Sequence, residues 1–197
     1  MSVITPPPLA SVQGAELEDL TGKQSSIKSD DLWKDQAVLV LVLRRPGCVL
    51  CRGEAKSLWG KKAQFEELGV RMVCLVHEAI PDEIKAFWPE YWGGELYLDT
   101  DKQLYKALGG GKLRRGSLMW FLNPWSVIWK HGKWAKEECG IKESNLKGDG
   151  LTMGGLMVIK QGAGGPSFAY AEERFGDHAE IDEVLKACQT AAQPSRM

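Results

Sequence analysis

The chain has no long apolar run and no strong excess of charge, and each absence excludes a class of protein. No segment reaches the roughly 18 uninterrupted apolar residues that a membrane-spanning helix needs, so we expect no transmembrane segment. The formal net charge of −1 over 197 residues gives no general attraction to nucleic acid or to an anionic membrane. The first eight residues, MSVITPPP, lack the basic and apolar regions of a secretory signal. We therefore expect a cytoplasmic protein, with an organelle reached after removal of a transit peptide as the alternative.

Cysteine and histidine are also scarce. The five cysteines form an odd set in which only Cys48 and Cys51 are close in sequence, whereas a secreted disulfide scaffold usually has a dense, even set. A reducing compartment therefore fits better. Structural zinc sites normally have four protein ligands, and no second close pair of cysteines or histidines is present. The three histidines, at positions 77, 131 and 178, are too scattered to argue for a Cys-His-Asp arrangement. The sequence predicts no metal and no bound cofactor.

The apolar pattern predicts a single α/β domain over residues 15–190, with a flexible lead at 1–14 and a flexible tail at 191–197. Residues 37–43 are apolar throughout and predict a buried strand. Residues 49–68 have helical apolar spacing, and residues 70–76 predict a second strand, so a right-handed crossover would make the two strands parallel. Further strands are expected at 9–17, 95–98, 156–160 and 168–172, and further helices at 81–88, 101–108 and 181–188. This order indicates a central mixed sheet flanked by helices.

Cys48 and Cys51 lie between the first of these strands and the helix that follows. Open α/β sheets place their chemistry at the carboxyl ends of strands, and a helix N-terminus stabilises a thiolate. Cys48 precedes the helix and should be the attacking sulfur, with Cys51 resolving the disulfide formed on it. Arg44, Arg45 and Arg52 add positive charge nearby. A zinc half-site or two packed cysteines are the alternative interpretations.

An unusual segment at residues 112–147 contains four tryptophans, at positions 120, 125, 129 and 134, with basic residues between them. One interpretation is a helix that docks on a membrane surface or a partner protein. The other is a packed cover over the sheet or over the dithiol, because aromatic side chains bury large areas. We favour the packed cover, since Pro124 interrupts the segment and the chain carries no net positive charge.

Four segments together resemble the peroxiredoxin-like 2 family of the thioredoxin-like superfamily: residues 44–52 (RRPGCVLCR), 94–99 (GELYLD), 148–155 (GDGLTMGG) and 175–177 (FGD). The arginine-rich active-site segment and the tryptophan-rich insertion are most similar to the 2A branch, which is related to prostamide/prostaglandin F synthase. The resemblance covers nearly the whole chain. It implies a thioredoxin-like fold with a Trp-rich insertion, a redox-active pair formed by Cys48 and Cys51, and an antioxidant role.

The resemblance also implies reduction of a peroxide or a disulfide, with an external reductant such as a thioredoxin/NADPH system resetting the protein. The expected partners are a thioredoxin-like reductant, client protein thiols, or a lipid or small peroxide. Arg45 stands where typical peroxiredoxins have a threonine three residues before the peroxidatic cysteine, which argues against efficient use of simple peroxides. Residues 152–155 stand where thioredoxins have a cis-proline. Two alternatives stay open: a redox-sensitive interaction protein with little turnover, and a prostaglandin endoperoxide reductase.

Overall fold

A computed structural model describes residues 3–23, 25–117, 119–120 and 127–193. Its strands are β1 (Val3–Ile4), β2 (Glu16–Asp19), β3 (Ile27–Lys28), β4 (Val38–Val42), β5 (Arg71–Val76), β6 (Glu95–Leu98), β7 (Gly155–Ile159) and β8 (Pro166–Ala171). Its α-helices are α1 (Val49–Trp59), α2 (Lys62–Glu67), α3 (Pro81–Phe87), α4 (Gln103–Leu108), α5 (Val127–Glu137) and α6 (Ile181–Ala192). Short 3₁₀ turns occupy Leu9–Ser11, Ser29–Leu32 and Gly162–Gly164.

The strands form one mixed sheet in the order β1-β8-β7-β4-β5-β6-β2-β3. The central β4 pairs in parallel with β5, as the predicted crossover requires, and β5 pairs in parallel with β6. On its other edge β4 pairs antiparallel with β7, which forms a hairpin with β8. The dithiol therefore follows the central strand of the sheet.

Side chains of β4 alternate between two apolar cores, one on each face of the sheet. Leu39 and Leu41 belong to the core that contains α1, α2, α5 and α6, whereas Val38, Val40 and Val42 belong to the core that contains α4. All five are at most 1% exposed, because a strand covered on both faces has no solvent side. The prediction of a mixed α/β sheet with helices on both faces is confirmed.

Four sequence predictions differ from the structure. Within the lead predicted as flexible, Val3–Ile4 pairs with β8, because an open edge of β8 offers unpaired backbone groups. The strand predicted at 9–17 is a 3₁₀ turn followed by β2. The single helix predicted at 49–68 is divided at Gly60 and Lys61 into α1 and α2. Residues 191–192 of the predicted tail continue α6, and residues 194–197 lie outside the described chain.

The insertion contributes α5, which packs on the dithiol helix α1. Ile128 and Ala135 are buried in this contact, and an added Cβ at Gly53 of α1 would lie 2.8 Å from the Cβ of Ala135. A glycine is therefore what lets the two helices approach. Ile128 and Ala135 pack as the cover interpretation predicts, whereas Trp129 is 52% exposed and Pro124 and Trp125 lie outside the described chain. Within the described ranges, no helix has both the length and the apolar character needed to cross a bilayer.

Candidate active site at the start of helix α1

Cys48 is the N-cap residue of α1, with extended backbone angles (φ −84°, ψ 130°). Its carbonyl oxygen accepts the first helical hydrogen bond from the backbone N–H of Arg52, at 2.9 Å. Cys48 therefore lies at the positive end of the helix dipole, which favours the anionic form of its sulfur. Cys51 lies in that first turn. Hydrogen bonding by the Cys51 thiol and backbone N–H lowers the pKa of the Cys48 thiol.

Arg44 is the cation that reaches this sulfur. Its Nη2 donates to Cys48 Sγ at 2.8 Å, and its Nη1 donates to the carbonyl oxygen of Gly150 at 2.9 Å. The guanidinium also lies over the ring of Phe175, 4.6 Å from the centroid. Two hydrogen bonds and a stacked face fix the group in place, so its charge does not have to reorganise when the thiolate reacts.

The other two arginines donate hydrogen bonds to backbone carbonyls, although the sequence places them equally near the sulfur. Arg45 donates to the backbone carbonyls of Asn145, at 2.9 Å, and Lys147, at 3.3 Å. Arg52 donates to the carbonyl of Pro46 at 2.7 Å and to that of Glu143 at 2.7 Å. Both hold the end of the insertion against the dithiol loop, and this explains why they are buried.

The two thiols have opposite pKa shifts. The hydrogen bond from Cys51 lowers the pKa of Cys48 well below its ordinary value, and the positive charge of Arg44 adds to this effect against the cost of burial. The same hydrogen bond and then burial raise the pKa of Cys51. The shifts therefore favour the thiolate on Cys48 and the protonated thiol on Cys51. The roles of Cys48 as attacking sulfur and Cys51 as resolving sulfur stay a prediction.

Cys48 has a route to a cavity, although it is only 6% exposed. The cavity has a volume of about 600 Å³, and its apolar wall includes Leu50, Ile128, Leu151 and Phe175. Arg44, Lys133 and Lys136 also line it and give it positive charge. Cys51 is 1% exposed and is absent from this lining. A substrate can therefore reach Cys48 before it reaches Cys51.

The loop before β7 positions Arg44. The carboxylate of Asp149 accepts hydrogen bonds from the backbone N–H groups of Leu151, at 2.9 Å, and Thr152, at 3.2 Å. This turn presents the Gly150 carbonyl to the guanidinium. Gly154 lies against the end of β4, where an added Cβ would be 2.1 Å from the carbonyl oxygen of Val42 and 3.0 Å from the Arg44 nitrogen. Residues 152–155 thus approach the dithiol strand by backbone alone.

A second polar cluster, missed by the sequence analysis, lies beneath the same arginine. Glu54 of α1, Glu172 at the end of β8 and His178 before α6 each direct one polar atom to a common point, and these atoms lie within 4.8 Å of one another. Burial raises the pKa of Glu54, and it raises that of Glu172 to about 7. Burial also lowers the pKa of His178 to about 3. The three residues are far apart in sequence, so no local pattern predicts the cluster. The one nearby signal in the sequence is the FGD segment at 175–177, which is next to His178.

The remaining candidates are structural. Cys74 of β5 and Cys188 of α6 are fully buried, and burial raises the pKa of both thiols, that of Cys188 to about 12. Cys139 is half-buried, and burial raises its pKa as well. His77 contacts the carbonyl oxygen of Arg44 through Nε2 at 3.0 Å. All five cysteines are free thiols, so the protein is described in its reduced form.

Comparison with known proteins places this geometry in a family. Residues 57–174 match the family model described as AhpC/TSA antioxidant enzyme, and the match begins after both cysteines. Peroxiredoxin-like 2A of Xenopus tropicalis is 34% identical over 183 residues, which cover 90% of this chain and 74% of that protein. The chain belongs to the peroxiredoxin-like 2A family. The human peroxiredoxin-like 2A is 31% identical with the same shares of both chains covered.

Solved structures confirm the thioredoxin-like fold of this family member. Peroxiredoxin Q of Xanthomonas campestris superposes with a TM-score of 0.63 at 12% identity, covering 98% of this chain and 100% of that one. Peroxidoxin BcpB of Mycobacterium tuberculosis superposes with a TM-score of 0.58 at 16% identity, covering 89% and 91%. Together with the family match, these likenesses support a redox antioxidant role.

Proposed function

We propose that the chain is a thiol-dependent antioxidant oxidoreductase that uses Cys48 as nucleophile and Cys51 as resolving thiol. The observation that carries this proposal is the contact of 2.8 Å between Arg44 Nη2 and Cys48 Sγ at the start of α1, beside a cavity that Cys48 lines. A fixed cation and a helix N-terminus both hold the sulfur ionised, and the thiolate is the reactive form of cysteine.

The reaction follows from the opposite protonation states of the two thiols. The Cys48 thiolate attacks the outer oxygen of a hydroperoxide, the O–O bond breaks, and an alcohol leaves with a proton from the site. Cys48 is then a sulfenic acid. The Cys51 sulfur attacks it, the Cys48–Cys51 disulfide forms, and water leaves with the Cys51 proton. An external dithiol, such as that of a thioredoxin, reduces the disulfide through a mixed disulfide and is itself oxidised.

The cavity supports a substrate larger than hydrogen peroxide. Its volume of about 600 Å³ is within the range of sites that bind small organic molecules, and its wall is mostly apolar. Arg45, which stands in place of the peroxiredoxin threonine, is occupied by backbone carbonyls and offers no hydroxyl to a peroxide. An organic hydroperoxide, a lipid endoperoxide or a protein disulfide therefore fits the proposal better than hydrogen peroxide.

One experiment tests the function. The reduced protein is treated with one equivalent of an organic hydroperoxide, and its disulfides are mapped by mass spectrometry before and after incubation with thioredoxin, thioredoxin reductase and NADPH. We expect a Cys48–Cys51 disulfide that disappears with consumption of NADPH. Oxidation confined to other cysteines would count against the mechanism. A Cys48–Cys51 disulfide that the thioredoxin system cannot reduce would count against this reductant.

A second function is favoured by the mouth of the cavity, where Trp129 is 52% and Leu146 is 86% exposed. Large exposed apolar side chains of this kind are typical of docking sites, so the alternative is a redox-sensitive interaction protein with little turnover. Steady-state assays separate the two functions. Repeated turnover with any of the three substrate classes favours the enzyme, whereas a single oxidation without turnover favours the interaction protein.

A further inference from the structure

Glu54, Glu172 and His178 form a three-residue polar cluster beside α1. His178 Nε2 lies 3.4 Å from Glu54 Oε2 and 4.0 Å from Glu172 Oε1. The side chains of both glutamates and of the histidine are at most 9% exposed. Three elements that are distant in sequence thus bring one nitrogen and two oxygen donors to a single buried point.

The histidine nitrogen is the unusual member of this cluster. Among the residues that the structure describes, His178 Nε2 is a buried atom with no hydrogen-bond partner, and buried polar atoms are almost always paired. Its ring stacks on that of His131, with centroids 5.6 Å apart and planes inclined by 27°. The imidazole is therefore held with Nε2 directed between the two carboxylates, where its lone pair is available to a ligand.

The charges around the cluster favour a cation. Glu54, Glu172 and Asp177 are three acidic groups that act on one another through the buried region, and Arg44 is the cation that acts on both glutamates. Asp177 also accepts a hydrogen bond from the Tyr170 hydroxyl at 2.7 Å. With the three carboxyl groups ionised, and with the Cys48 thiolate acting on both glutamates as well, negative charge exceeds the single positive charge of Arg44.

We propose that Glu54, Glu172 and His178 bind a divalent first-row transition-metal ion, with Zn²⁺ the best redox-inactive fit. Imidazole nitrogen and carboxylate oxygen are ordinary zinc ligands at about 2.0–2.2 Å, which separates neighbouring donors by roughly 3.3–3.6 Å in a tetrahedral site. The separation of His178 Nε2 from Glu54 Oε2, 3.4 Å, already has this length. The separation of His178 Nε2 from Glu172 Oε1, 4.0 Å, must shorten by roughly half an ångström, which a change of glutamate rotamer can provide. This proposal is independent of the thiol chemistry proposed above.

A path for the ion is present. Glu54 and His178 line a second cavity of about 630 Å³, whose mouth carries the acidic residues Glu137, Glu138, Glu180 and Asp182 and the basic residues Lys130 and Lys133. A mouth with more acidic than basic side chains attracts cations. Three protein ligands and one position facing a cavity are typical of zinc sites that keep a water molecule as the fourth ligand.

The test is a zinc titration of the full-length C48S/C51S variant, because the dithiol itself is expected to bind zinc and would hide a second site. Competition with a chromophoric chelator should show about one Zn²⁺ bound per chain, and zinc should raise the unfolding temperature by mass action. Adding E54Q or H178A should weaken binding at least about 10-fold. Adding E180Q, which changes a carboxylate at the mouth and leaves the cluster intact, should change affinity by less than about twofold.

Cobalt provides a spectroscopic check that does not depend on affinity. Co²⁺ in C48S/C51S should show the visible bands of a four- or five-coordinate ion without thiolate-to-cobalt charge transfer, and E54Q and H178A should both weaken these bands. Equal zinc affinity in E54Q, H178A and E180Q, no binding in C48S/C51S, or a charge-transfer band in this variant would each overturn the proposal. Circular dichroism of each variant shows whether it is folded, and H178A stands in for E54Q if the latter is not.

Discussion

The two cavities that border different faces of helix α5 have contrasting linings. The first presents a cysteine sulfur held by Arg44, within a mostly apolar wall. The second presents buried carboxylates and an imidazole behind an acidic mouth. Lys133 and Glu137 of α5 line both. One insertion helix therefore separates a soft, anionic nucleophile from a set of harder nitrogen and oxygen donors.

The contrast shows how a single helix can supply two chemistries. Cys51 and Glu54 are three residues apart on α1 and are therefore neighbours on its surface. Glu54 lines the second cavity, whereas Cys48, the partner of Cys51, lines the first. Arg44 interacts electrostatically with both groups of residues. Substitutions on one side should consequently abolish the chemistry of that side and affect the other side only through this shared charge.

The largest expected effect comes from replacing the nucleophile. C48S should lower thiol-dependent turnover at least about 100-fold, because a serine hydroxyl is not ionised near neutral pH and cannot form the disulfide. Zinc affinity at the Glu54 cluster should change by less than about twofold in the same variant. NADPH consumption in a thioredoxin-coupled assay and zinc titration measure the two quantities. C139S, which removes a half-buried thiol outside the site, serves as the control and should keep full activity.

C51S should stop the cycle one step later. The Cys48 thiolate still attacks the substrate once, but no intramolecular disulfide can form, so sulfenic acid or a mixed disulfide accumulates on Cys48. A sulfenic-acid probe followed by mass spectrometry should label Cys48 in C51S. The same probe should give no label at position 48 in C48S/C51S, where that residue is serine. Labelling of Cys139 in place of Cys48 would show that Cys139 makes the first attack, and would contradict the roles proposed for Cys48 and Cys51.

R44M should move the pH dependence of the reaction. A hydrogen bond to a charged group contributes about 1.5–3 kcal/mol, so its loss should raise the pKa of Cys48 by roughly one to two units. The pKa of Cys48 is depressed in the wild type, so its thiolate persists to low pH. In R44M the pKa is higher, so acidification should already protonate the thiolate at a higher pH. The midpoint of the alkylation profile should therefore move to higher pH by roughly one to two units in R44M, and the two rates should converge above that midpoint.

R45M is the matched control for this prediction. Arg45 is adjacent in sequence and equally basic, but its guanidinium is bonded to the carbonyls of Asn145 and Lys147. Its charge also lowers the pKa of Cys48, but less than the charge of Arg44 does, so its loss should loosen the loop and move the midpoint of the alkylation profile less than R44M does. Equal shifts in the two variants would mean that general positive charge, and not the contact of Arg44 with the sulfur, sets the pKa.

The position of the dithiol could be predicted from the sequence because its signals are local. The apolar stretch at 37–43, the two cysteines and the helical spacing after them together predict a strand, a nucleophile and a helix N-terminus, and β4, Cys48 and α1 follow that order. The choice among three arginines could not be made, since it depends on where Gly150 and the insertion carbonyls lie. A contact between residues 106 positions apart leaves no local pattern.

The second cluster and the chain ends were missed for a related reason. Glu54, Glu172 and His178 look like surface residues in sequence, and only the packing of β8 and the segment before α6 on α1 buries them together. Val3–Ile4 forms a strand because β8 has a free edge, which a two-residue segment cannot reveal on its own. Sequence patterns therefore predicted the elements that carry their own apolar period, and tertiary contacts decided the others.

The smallest expected effect tests the contact that keeps the two cavities apart. G53A places a methyl group 2.8 Å from the Cβ of Ala135, so α5 must move away from α1, and overpacking of this kind costs about 1–3 kcal/mol. G132A adds the same methyl group to α5 where no atom lies within 4 Å, and it should stabilise the helix by about 0.5–1 kcal/mol. Urea unfolding measures both changes. If G53A lowers the free energy of unfolding and G132A raises it, the close approach of the helices at Gly53, and not helix propensity, maintains the wall between the thiolate and the carboxylates. If both substitutions raise it, α5 can shift without cost.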